Sequence, residues 1–154
     1  MEIRKYEDYF EVLDIDSFDV KETLECGQVF RYKLRDFGYT VYSSNHKADI
    51  YCQNTIKIFT KDIKYFINYF DFFTDYAKIK SSLSEYPILK SAIDYGSGIR
   101  ILRNDPLEMI ISFIISQNNN IPRIRSIIEK ICECYGENMG DYYAFPTIDS
   151  CKKF

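Results

Sequence analysis

The chain has no tryptophan and a single histidine, His46. That imidazole follows "SSN" in a predicted hairpin loop, so a histidine-based acid–base or metal centre has little to build on. Glycine is scarce as well. The closest pair, Gly96 and Gly98, is too sparse for a loop that cradles phosphate. No apolar run approaches the ~20 residues needed to cross a bilayer, and "MEIRKYEDYF" lacks the apolar core of a signal peptide. The five cysteines (Cys26, Cys52, Cys132, Cys134, Cys151) are an odd set without framework spacing, the pattern of reduced thiols in a cytosolic protein. Cys132 and Cys134 fall on different faces of a helix and make a poor zinc pair, so neither metal nor cofactor is expected. No serine or cysteine has a local partner pattern for nucleophilic catalysis.

What the chain does have is core material. Apolar residues make up 46% and aromatics 17%, carried by 14 tyrosines and 12 phenylalanines, which excludes a disordered chain. Net charge is −3 over 154 residues, unevenly placed. Residues 1–26 hold nine acids (Glu2, Glu7, Asp8, Glu11, Asp14, Asp16, Asp19, Glu22, Glu25) against Arg4, Lys5 and Lys21, a net of −6 that leaves +3 for the rest. The early acids read as a solvated face. An anionic partner would meet the later part of the chain.

Short strands with turn residues between them are predicted first: Tyr9–Ile15, Gln28–Leu34, then "YTVYSS", "ADIYCQ" and "TIKIFT". In Gln28–Leu34 the alternation puts Val29, Arg31 and Lys33 on one side, and Arg31 and Arg35 read as exposed strand charges. Helices are predicted over Asp62–Phe70, Asp75–Ser84 and Pro87–Tyr95, the last ended by "GSG". Asp105, Pro106 and Glu108 then supply cap, first-turn proline and capping-box acid for another helix. Its "LEMIISFIIS" is apolar on nearly every side, which predicts burial all round. Ile121, Ile124, Ile128, Ile131 and Tyr135 mark an amphipathic helix that stops at Gly136. Residues 105–136 therefore form a helical hairpin with "QNNN" as its turn. Past Gly136 the periodicity fails, and the Asp105–Ser116 helix lacks enough partners for a helical layer. The expected organisation is an α+β domain over residues 1–104 and the start of a truncated helical domain over 105–154.

Two stretches invite a functional reading. "NNNIPRIR" joins a helix start, whose free N–H groups favour phosphate, to Arg123, Arg125 and spare asparagine amides able to meet base edges. The same residues also suit a solvated turn tolerant of left-handed backbone. Gly27, in "LECGQVFRY", permits a close approach of backbone to a ligand, or is a plain turn glycine.

"FDVKETLECGQVFRY" (Phe18–Tyr32) and "GSGIRILRNDPLEMIISFIISQNNNIPRIRSIIEKICECYG" (Gly96–Gly136) together resemble 8-oxoguanine DNA glycosylase/AP lyase, a base-excision repair family of the helix–hairpin–helix superfamily. The resemblance implies a twisted antiparallel sheet with flanking helices, similar to the TATA-binding-protein half-fold, followed by an all-α domain. It implies a partner, double-stranded DNA with 8-oxoguanine paired with cytosine, whose damaged base is extruded into a pocket. Gly27 matches the glycine whose carbonyl accepts the N7–H found only on the oxidised base. Asn118 matches the asparagine that fills the gap left in the duplex, with Asn119 beside it. Arg123 matches the arginine that bonds the orphaned cytosine. Lys152 and Lys153 match neither the nucleophilic lysine nor any other catalytic position. The resemblance thus leads us to expect a cytoplasmic, bacterial, nucleoid-associated protein, inactive alone for want of the catalytic lysine and aspartate. A non-catalytic DNA-binding or structural module is the alternative.

Overall fold

The computed structural model describes residues 2–13, 17–53 and 55–151; the expected end of the first strand (Asp14, Ile15), the acid at Asp16, and Lys152 and Lys153 lie outside them. Six antiparallel strands form one sheet: β1 (Ile3–Lys5), β2 (Tyr9–Val12), β3 (Tyr32–Arg35), β4 (Gly38–Ser43), β5 (His46–Cys52) and β6 (Ile56–Phe59), in the order β1-β2-β6-β5-β4-β3. Period-2 alternation gives the sheet one apolar face. Phe10 faces Ile58, Ile58 faces Ile50 and Ile50 faces Tyr39 across the strands. Those four side chains are buried to 6% exposure or less and line one face of the sheet.

Helices close that face. The α1 helix (Val20–Glu25) brings Val20 and Leu24, and α2 (Ile63–Tyr69) brings Phe66 and Ile67; Phe18, Phe70, Phe72 and Leu102 complete the core. The α1 helix was missed in the sequence, although Asp19 accepts from the Glu22 N–H at 2.8 Å as an N-cap should. An Asp with Glu three residues later was the available signal. Asp19 and Glu22 are therefore structural residues, not merely a solvated face. Gly98 packs against them so closely that a Cβ there would fall 2.4 Å from the Asp19 Cβ.

The chain continues through α3 (Tyr76–Leu83) and α4 (Pro87–Tyr95), then crosses beneath the core at Arg100. The Arg100 guanidinium is buried and donates to the carbonyls of Phe70, Ser17, Asp71 and Thr74 at 2.7–3.0 Å. It thereby satisfies the backbone of two loops, the one before α1 and the one between α2 and α3, with one side chain. Beyond it stand α5 (Pro106–Ser116), α6 (Ile121–Tyr135) and a final turn, α7 (Ile148–Cys151). Ile124, Ile128, Cys132 and Phe145 form a second, smaller core with Leu107, Ile111 and Ile115 against it.

Two expectations are overturned. The α5 helix is not buried all round: its buried residues are Glu108 and Ser112, while Ile110, Phe113 and Ile114 are 58–66% exposed. The arc turned to the sheet is the one whose Glu108 carboxylate can hold a backbone N–H of the β4–β5 turn, so the most apolar arc faces outward. Nor is Arg31 an exposed strand charge. Strand β3 begins only at Tyr32, and Arg31 is 2% exposed. Its place on the Val29 side of the alternation already pointed inward.

Candidate nucleic-acid interface

The three asparagines between α5 and α6 do three different things. Asn118 sits at φ +55°, in the left-handed region that Asn tolerates better than most residues. Asn119 donates its amide to the Ile115 carbonyl at 2.7 Å, tying off the end of α5. Asn120 accepts from the Arg123 N–H at 3.0 Å and is the N-cap of α6. Pro122, in the first turn, presets φ for the helix and has no N–H to leave unpaired. Two asparagines thus hold the turn, and the Asn118 side chain makes no hydrogen bond among the described residues. Arg123 is exposed and its guanidinium is likewise without a partner there. An exposed amide in the turn and an exposed guanidinium in the first turn of α6 are therefore both left unpaired.

Gly27 lies on a different element, in the turn after α1. Its φ is +92°, and a Cβ built there would meet nothing within 4 Å. Backbone conformation, not lack of room, calls for glycine. Its carbonyl has no hydrogen-bond partner among the described residues. The next residue pins the turn. Gln28 donates to the carbonyls of Thr23 and Arg100 at 2.9 and 2.8 Å and accepts from the Leu102 N–H at 2.9 Å.

One contact joins the segment that follows Gly27 to the helical hairpin, and another joins it to the β4–β5 turn and the stretch after α6. The Arg125 guanidinium lies 3.8 Å from the centroid of Tyr32, a cation–π stack between α6 and β3. Arg31 reaches the Ser44 and Tyr143 carbonyls. The structure therefore places Asn118 and Asn119 in the α5–α6 turn and Arg123 in the first turn of α6, and it links α6 to the strand that follows the Gly27 turn through Arg125 and Tyr32. Gln28 had no assigned role in the sequence, and Arg125, read there with Arg123 as part of the contact stretch, is instead stacked on Tyr32.

Other ionisable groups serve structure. His46 begins β5, stacks on Tyr65 and sits 2.8 Å from Asp62, off the line of a well-formed hydrogen bond. Burial pushes the Cys132 thiol up to about 11, which makes it inert. No group of three or more His, Cys, Asp or Glu side chains among the described residues could hold a metal ion. No helix among them is long and apolar enough to cross a membrane.

Residues 12–110 match the family model described as the N-terminal domain of 8-oxoguanine DNA glycosylase. The chain belongs to the 8-oxoguanine DNA glycosylase family. Within that family, N-glycosylase/DNA lyase OGG1 of Arabidopsis thaliana is 40% identical over 57 residues, covering 34% of this chain and 15% of the plant protein. The N-glycosylase/DNA lyase of Saccharomyces cerevisiae is 44% identical over 55 residues, or 32% of this chain and 15% of the yeast protein. The fold is also that of solved glycosylases. The Clostridium acetobutylicum 8-oxoguanine glycosylase/lyase, in complex with double-stranded DNA containing cytosine opposite 8-oxoG, superposes with a TM-score of 0.88 at 37% identity. That match covers 100% of this chain and 57% of the clostridial one. This glycosylase-family chain thus spans little more than half the length of the solved relative and a smaller share of the plant and yeast ones. The sheet with flanking helices, followed by further helices, is the architecture that the resemblance implied.

Proposed function

We propose that this chain is the lesion-reading part of a DNA glycosylase/AP lyase that removes 8-oxoguanine paired with cytosine. Residues 1–104 form its sheet domain and 105–154 the beginning of the helical domain. The observation that carries the reading is the loop between α5 and α6. Asn119 and Asn120 are occupied in holding its shape, and Asn118 and Arg123 are left unpaired and exposed. In this reading Asn118 enters the gap left by the extruded nucleotide. Arg123 supplies donors to the orphaned cytosine, and Asn119 fixes the loop that meets the DNA. The Gly27 carbonyl accepts the N7–H of the oxidised base. Undamaged guanine carries a lone pair at N7, so two acceptors would face one another, at a cost of about 1–3 kcal/mol.

Base removal in the family is assigned to no residue of this chain. The site of action is the bacterial cytoplasm, at the nucleoid, where the substrate is and where the free thiols of Cys26, Cys52, Cys132 and Cys134 are stable. The test is a binding titration against two duplexes that differ only in 8-oxoguanine or guanine opposite cytosine. The lesion duplex is expected to bind about tenfold tighter, a difference of roughly 1.4 kcal/mol. Equal affinity for both sinks the proposal. Arg123→Ala is expected to abolish the preference for cytosine over adenine opposite the lesion.

A further inference from the structure

Arg31 cannot touch DNA from where it lies, yet four segments converge on it. Its Nη2 donates to the Tyr143 carbonyl at 2.6 Å and its Nη1 to the Ser44 carbonyl at 3.3 Å. The same Ser44 carbonyl accepts from the Phe145 N–H at 2.8 Å. The Ser44 N–H donates to Glu108 Oε2 at 2.8 Å, and that oxygen lies 4.0 Å from Arg31 Nη1. The guanidinium carbon is 5.8 Å from the centroids of both Tyr42 and Phe145. Arg31 Nε and the Tyr69 hydroxyl are buried nearby without partners. Burial raises the Glu108 carboxyl above its ordinary value, against the pull of Arg31 and the Ser44 N–H.

Stability alone is a poor explanation for this arrangement. A buried ion pair with incompletely satisfied neighbours is commonly replaced by apolar packing with no loss. A planar guanidinium fork gives something else, a fixed distance and angle between the pieces it joins. On one side is the segment that begins at Gly27 and is pinned by Gln28. On the other is α5, which carries Glu108 near its start and leads to the turn bearing Asn118 and the first turn of α6 bearing Arg123.

We infer that Arg31, held with Glu108, is a positioning residue that sets the spacing between the Gly27 turn and the Asn118–Arg123 loop and so governs discrimination of damaged from undamaged duplex. The inference rests on the DNA-reading role proposed above. Affinity for undamaged duplex comes from phosphate contacts and needs no such register. Lesion preference needs both elements at once.

Anisotropy titrations of the chain and its Arg31→Gln, Arg31→Lys and Glu108→Ala variants on the 8-oxoguanine:cytosine and guanine:cytosine duplexes test this, each variant first checked for its fold by circular dichroism. Arg31→Gln and Glu108→Ala are expected to lower the ratio of the two affinities about tenfold while moving the guanine duplex less than about twofold. Arg31→Lys, which keeps the charge but replaces the planar two-nitrogen fork with a single ammonium, recovers part of the ratio. If Arg31→Gln does not fold, the lysine and Glu108 variants decide. Parallel losses on both duplexes mean a merely structural role and overturn the inference, as does an unchanged ratio. A wild-type chain with no lesion preference overturns the underlying reading too, whereas a preference retained by every variant overturns this inference alone.

Discussion

At Gly27 the backbone stands at φ +92° with free space where a Cβ would go. Gly27→Ala is therefore expected to cost only the backbone penalty, about 1–2 kcal/mol. Gly136 is the opposite case, because a Cβ there would fall 2.0 Å from the Ala144 carbonyl oxygen. Gly136→Ala must push the 137–144 segment away, and its urea midpoint is expected to fall further than that of Gly27→Ala. Equal midpoints would contradict both arguments. Arg100 is the strongest single tie in the core. Arg100→Met leaves two buried and two half-buried carbonyls without this donor, and a loss of at least about 3 kcal/mol is expected in chemical denaturation. Glycine at position 27 was legible as a residue needing special backbone, since the strand signal began just after it. Arg31 was not, because charge outweighed its place in the alternation. The carbonyls that would accept it lie far along the chain, where no local pattern could announce them.

At the scale of elements, the asparagine run shows how one residue type can fill three roles. Asn118→Gly keeps a residue at ease with φ +55°, so α5 and α6 should survive with stability changed by a few tenths of a kcal/mol. Lesion affinity should still drop, because the side chain is gone. Asn120→Ala removes the α6 cap and is expected to cost about 1 kcal/mol with lesion preference intact. A pair of titrations and two thermal melts separates these outcomes, and a loss of stability in Asn118→Gly would place Asn118 among the turn-formers. Most element boundaries could be read from caps and periods, as with Asp105 before α5 and Gly136 after α6. Helix α1 escaped because its six residues are too short to show a period. The outward arc of α5 escaped because hydrophobicity says that a face is covered without saying by what.

For the whole molecule, two buried acids set opposing responses to pH. Burial on its own would raise the Asp71 carboxyl, but the Arg103 guanidinium at 2.8 Å and the Thr74 and Tyr76 hydroxyls outweigh it and hold it below the ordinary 3.8. Asp71 thus adds stability above that value and loses it as pH falls through the lowered one. Glu108 is shifted the other way, upward from 4.5 by burial. Its folded form holds the proton more tightly than the unfolded form, so stability declines as pH climbs from 4.5 toward the raised value. Urea midpoints taken between about pH 3 and pH 7 should therefore show a shallow maximum, and Glu108→Gln should flatten its upper side. An unchanged upper side in that variant would mean that Glu108 does not titrate differently on folding. The Arg31 junction has a kinetic side as well. Its bond to the Tyr143 carbonyl joins residues 112 apart in the chain. Closing so long a loop comes late, after the sheet's local pairings have formed. Substitutions at Arg31 should accordingly leave the refolding rate nearly unchanged and speed unfolding. The contact proposed to set the register between the Gly27 turn and the Asn118–Arg123 region would then be the last to close and the first to open, and it would limit how long the two stay aligned.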